Sequence, residues 1–134
     1  MDPSQKLQWL RRVLLTKVIV TFLFWGLPPL LATPEIAAMV NVTLPEDPVF
    51  VRLFGAVVIA FGVAYWYAYR DPVRNVAILK AGVVDNGMVT LTLLVMALTR
   101  GLSSWTLWVS MVLTAGFCTA FLVLMPKETE ESHA

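Results

Sequence analysis

The sequence predicts an all-α membrane protein, a four-transmembrane-helix up-down bundle with both termini cytoplasmic. Three observations predict it. Hydrophobic residues make up 58% of 134 and charged residues 14%, against roughly 45–50% and about 25% in soluble domains. A chain this short has a large surface for its volume, so its excess apolar surface must face lipid. The second observation is four apolar stretches, at about 13–31, 49–69, 76–98 and 105–125. Each approaches the ~20 residues that cross a ~30 Å hydrocarbon core, and backbone groups in lipid are satisfied only by helices or closed barrels. The third is that two of the three connections are tight, Arg70 to Asn75 and Arg100 to Ser104, which forces neighbouring helices to run antiparallel.

The elements follow in order. Pro3 to Arg12 mixes Leu7, Trp9 and Leu10 with Gln5, Lys6, Gln8, Arg11 and Arg12. That mixture predicts a short N-terminal helix lying at the membrane surface. The basic residues followed by an apolar run resemble a signal peptide. However, Gly26-Leu27-Pro28-Pro29 follows in place of a small-x-small cleavage site, so a retained first span is expected. Lys17 in this span is expected to snorkel toward headgroups, and Gly26, Pro28 and Pro29 to end the helix.

Asp-Pro pairs at Asp2-Pro3, Asp47-Pro48 and Asp71-Pro72 mark helix starts, because Asp caps while Pro tolerates the first helical position. Thr33-Pro34-Glu35 repeats that logic and predicts a short helix, Pro34 to Val40, in the one sizeable loop, about residues 32–48. Basic residues set the orientation. Lys6, Arg11, Arg12, Lys17, Arg70, Arg74 and Lys127 collect on one side, which is expected to be cytoplasmic. Arg52 and Arg100 lie on the other, with Glu35, Glu46 and Asp47. Residues 126–134 read as a flexible polar tail. The chain is expected to form one transmembrane domain in a bacterial cytoplasmic (inner) membrane.

Several chemistries are argued against. The one histidine, His133, stands in the tail, so no haem ligand, zinc set or Ser/His/Asp triad is available in the membrane. No Gly-rich phosphate loop is present. The net charge of +1, without a basic run, speaks against nucleic acid. Cys118 sits in an apolar run as a small core residue. Asn41-Val42-Thr43 matches an N-glycosylation pattern that arises readily by chance.

Three candidate sites remain. Asp85 and Asn86 fall near the middle of the third span, with Lys80 about one and a half turns earlier. An ionisable residue at mid-membrane costs roughly 2.5–3.5 kcal/mol on insertion scales and therefore has a partner or a task. It is either a polar contact between helices or a proton, ion or headgroup site. The second candidate is the small-residue pattern of the second span, Ala56, Ala60, Ala64 and Ala68 with Gly55 and Gly62. Such residues let helices approach closely in lipid, within this bundle or against another protein. The third is Arg52, a contact for lipid phosphate or an anion.

Arg52-Leu53-Phe54-Gly55, then Gly62, then Tyr69-Arg70-Asp71-Pro72 resembles a pattern in DoxX-like small four-helix membrane proteins. The resemblance covers Arg52 to Pro72. It implies a four-helix bundle and, because some members accompany redox or quinone systems, a possible place beside one.

The sequence therefore predicts a non-catalytic accessory subunit of a larger integral membrane complex, touching the bilayer, other membrane proteins or copies of itself, with no cofactor. A small oligomeric transporter or channel using Asp85 is the alternative. A redox accessory protein with bound lipid or quinone is a further one.

Overall fold

The computed structural model describes residues 2–126, and every regular element among them is helical. The polar tail, with Lys127 and His133, lies outside the described residues apart from Pro126. Four helices are long and apolar enough to cross a membrane: Pro3–Leu30, Val49–Arg70, Val76–Thr99 and Trp105–Leu124. They are termed the first to fourth spans.

The first span differs from expectation at both ends. Pro3 to Arg12 is no separate helix. It is continuous with the span through Val20, because between Pro3 and Gly26 there is no Pro or Gly to stop propagation. The span therefore has 28 residues, about 42 Å at 1.5 Å per residue. Nor does it end at Gly26. Residues Thr21–Gly26 widen into a π-helix in which the Leu27 amide reaches back to the Phe22 carbonyl. The helix then resumes over Leu27–Leu30. Pro28 and Pro29 lack amide protons and would crowd the turn before them. The wide turn absorbs that mismatch without breaking the helix.

The loop after it holds a helix at Pro34–Met39, whose Ile36 amide donates to Thr33 Oγ1 at 3.4 Å. Its exit uses Asn41 in the left-handed region, φ 53°, and a Val42 amide to Ala37 carbonyl bond of 3.0 Å. Asn tolerates that conformation better than most residues. The Asn41 side chain donates through Nδ2 to the Ser103 carbonyl at 3.1 Å, and Ser104 Oγ donates to the Val40 carbonyl. This loop is thereby tied to the one between the third and fourth spans.

The Thr33 hydroxyl also holds the exposed Glu35 carboxyl below its usual pKa. A depressed carboxylate pKa contributes order above the ordinary carboxylate range and loses it as pH falls through that range. The protection of the Ile36 amide, its exchange rate relative to the intrinsic rate at each pH, is expected to fall on acidification in the native chain and to stay level with pH in Glu35→Gln.

The Asp-Pro pairs act differently from one another. Asp47 Oδ1 accepts from the Val49 amide at 3.0 Å, but the N-cap of the second span is Pro48, so Asp47 stands one residue ahead of the expected cap position. Asp71 instead accepts from the Arg74 amide at 3.1 Å. It closes the turn ahead of the third span, which starts only at Val76.

The first span packs against the second and fourth, and the third against the same two, so the helices close into a ring in chain order. The apolar core, Leu10, Leu14, Val18, Tyr65, Ala68, Leu79 and Phe121, occupies the end where the first and third spans begin. Beyond it toward the middle, the interior becomes polar.

Candidate functional site: a caged lysine between the spans

Lys17 stands at the midpoint of the first span, about 20 Å from either end at 1.5 Å per residue. It continues the stripe of Leu10 and Leu14, which is buried at helical spacing. It does not snorkel as expected: its side chain turns into the bundle and is 2% exposed. The ammonium donates to Asn86 Oδ1 of the third span at 2.6 Å. Three rings surround it, with centroids 4.7 Å away for Trp25, 4.9 Å for Phe117 and 5.1 Å for Tyr65. Those rings come from the first, fourth and second spans, so every span contributes one wall. A desolvated cation over an aromatic face gains about 2 kcal/mol or more. That gain and the charge-assisted hydrogen bond offset the ~2.5–3.5 kcal/mol insertion cost of the charge.

Each wall is held in turn. Asn86 is fully buried and donates to the Gly82 carbonyl at 2.6 Å, which turns its amide oxygen to the ammonium. Trp25 Nε1 donates to Ser110 Oγ at 2.9 Å. Tyr65 donates its hydroxyl to Asp85 Oδ2 at 3.3 Å. Asp85 is half-buried beside this centre. Behind Asn86, Thr90 and Thr114 share a 2.8 Å hydrogen bond between the third and fourth spans. Gly82 is part of the device. A Cβ there would lie 2.9 Å from the Phe121 ring and 3.0 Å from the Tyr65 ring and hydroxyl. The Thr21 hydroxyl, one turn beyond Lys17 at the start of the π segment, is buried without a hydrogen-bond partner among the described residues.

The structure thus brings Asp85 and Asn86 together with Lys17, Tyr65 and Trp25. Lys80 lies on an exposed side of the same helix. Sequence reasoning passed over Lys17, and the signal that marks it is the spacing Leu10, Leu14, Lys17, Thr21. The small-residue pattern of the second span divides. Gly55, Gly62 and Ala68 are buried, the two glycines against the first span, whereas Ala56 and Ala60 are exposed and Ala64 is half-buried. Arg52 is exposed beside the loop helix.

Chemically, the centre holds one ammonium, one phenol and one carboxyl group from three helices. Among the described residues no group of three His, Cys, Asp or Glu side chains could hold a metal. Tyr65→Phe removes the hydroxyl that meets Asp85 and is expected to destabilise the bundle by about 1 kcal/mol, the scale of hydrogen bonds between membrane helices. Thermal unfolding in detergent reads this directly, and an unchanged midpoint would show that Asp85 gains nothing from Tyr65.

No protein-family model, curated protein or solved structure matches this chain. The DoxX-like resemblance of Arg52 to Pro72 therefore stands on those residues alone.

Proposed function

We propose that this chain is a non-catalytic subunit of a larger integral membrane assembly and acts through the outer faces of its helices. The observation that carries this reading is the division of the second span. Its glycines and Ala68 are used inside the bundle, while Ala56 and Ala60, one turn apart, are left exposed between Leu53, Val57 and Val63. Small residues on a lipid-facing surface gain nothing from lipid, but they let a second helix come close. The caged lysine fits the same reading as a lock that fixes the relative rotation of the four spans. Cytoplasmic termini, a bacterial inner membrane and kinship to DoxX-like proteins belong to the proposal as well.

The test is steric. Ala56→Phe with Ala60→Phe is expected to leave the unfolding free energy of the isolated chain within about 0.5 kcal/mol of the parent, as for substitutions away from packed features. The same pair is expected to prevent recovery of partner proteins after gentle extraction. Undiminished recovery would refute the assignment of this face.

The meeting of Lys17, Tyr65 and Asp85 favours a second reading, a small transporter whose pathway uses these groups, since ionisable residues inside membranes mark proton and ion routes. It predicts that Asp85→Asn abolishes flux in vesicles while the fold persists. Full flux in that variant would exclude a titrating role for Asp85.

A further inference from the structure

Two cavities adjoin at the end of the bundle where the first span finishes and the second begins. One, of about 620 Å³, lies under the loop helix and is walled by Ala37, Val42, Leu44, Glu46 and Arg52. The other, of about 400 Å³, runs along the second span beside Leu30, Leu53 and Ala56. Pro48 and Arg52 line both. Arg52 is three residues inside the second span, about 4.5 Å along its axis. On a helix of 22 residues, about 33 Å against a ~30 Å hydrocarbon core, the first turn is the part expected to meet the headgroup boundary.

We propose that these joined cavities form a binding site for one zwitterionic phospholipid, with its phosphate on Arg52, its amine on Glu46 and an acyl chain along Leu53 and Ala56. Three features select this occupant. Apolar walls give an inorganic anion nothing to bind but reward an acyl chain. The planar guanidinium matches phosphate oxygens in bidentate fashion. The acidic residues disfavour a headgroup that is only negative. Asp47 is committed to the Val49 amide, which leaves the Glu46 carboxylate in the wall of the larger cavity to meet a cation. The inner end of the site shares Leu53 and Ala56 with the partner face proposed above, but its headgroup contacts, Arg52 and Glu46, lie outside that face and a single chain supplies them.

The test uses the full chain, purified in mild detergent and stripped of lipid. It is titrated with phosphatidylethanolamine, phosphatidylglycerol and inorganic phosphate, with native mass spectrometry reading the bound species. Phosphatidylethanolamine is expected to bind about tenfold tighter than phosphatidylglycerol, the scale of one charged hydrogen bond. Arg52→Gln should weaken phosphatidylethanolamine about tenfold for the same reason. Glu46→Gln should erase the preference between the two lipids. Equal binding of both lipids, preference for phosphatidylglycerol, indifference to Arg52→Gln, or displacement of lipid by inorganic phosphate would each overturn the proposal. If Arg52→Gln fails to fold, the Glu46→Gln comparison decides alone.

Discussion

Lys17→Ala is expected to destabilise the bundle by about 2–5 kcal/mol, the range for truncating a long, fully buried side chain. The loss has three sources. Asn86 Oδ1 forfeits its 2.6 Å donor, and a buried acceptor without a donor carries its desolvation penalty alone. Trp25, Tyr65 and Phe117 lose the cation they enclose, and a cavity replaces the lysine stem. Asp85 keeps its hydrogen bond from Tyr65 but loses the cation nearby. Lys17→Met keeps the stem volume and removes the charge, so it should be less severe than alanine. Combined with Asp85→Asn it should cost less than the sum of the two single changes, because once either group is gone the other has no counterpart left to lose. A double-mutant cycle in detergent unfolding checks this. Additive effects would mean that the two groups do not sense one another.

The second large effect is expected at Gly55. A Cβ there would stand 2.7 Å from the Gly26 carbonyl oxygen and 2.8 Å from Leu30 Cα. Both are backbone atoms of the first span and cannot rotate aside. Gly55→Ala must therefore push the first and second spans apart, at about 2–3 kcal/mol by the scale of overpacked cores. Gly62 provides the contrast. Its Cβ would meet the Phe22 ring at 2.9 Å, a side chain able to shift, so Gly62→Ala should cost about 1 kcal/mol or less. Chemical denaturation of the two variants side by side measures the difference. Equal losses would show that the backbone contact at Leu30 is not what demands glycine.

The spans were legible because lipid imposes one requirement, about 20 apolar residues in a helix, and the second, third and fourth stretches meet it within a residue at each end. The start of the first span was not, because Lys6, Arg11 and Arg12 are good helix formers and polarity does not halt a helix. Its wide π segment also left no mark that hydropathy reads. Gly-Leu-Pro-Pro suggested an end, whereas packing against Gly55 holds the chain helical to Leu30.

At the candidate site, Asp85 and Asn86 stood out as polar residues in an apolar run. Their partnership with Lys17 did not, since 69 residues separate Lys17 from Asn86 and only the rotation of two helices brings them together. That rotation was half visible in the spacing from Leu10 to Thr21. In the second span, glycine and alanine are alike as small residues, so composition alone did not say which face turns inward. Backbone contact at Leu30 and Gly26 selects Gly55, and the Phe22 ring selects Gly62, which leaves Ala56 and Ala60 outside.

The central claim, that the outward faces serve a larger assembly, is tested most directly by the mass of the native complex after gentle extraction from its own membrane, with every co-purifying protein identified. The account predicts a mass well above that of one 14.9 kDa chain, with the same distinct membrane proteins recovered each time and lost in the Ala56→Phe, Ala60→Phe variant. A lone monomer, or a small oligomer of this chain alone, would contradict it.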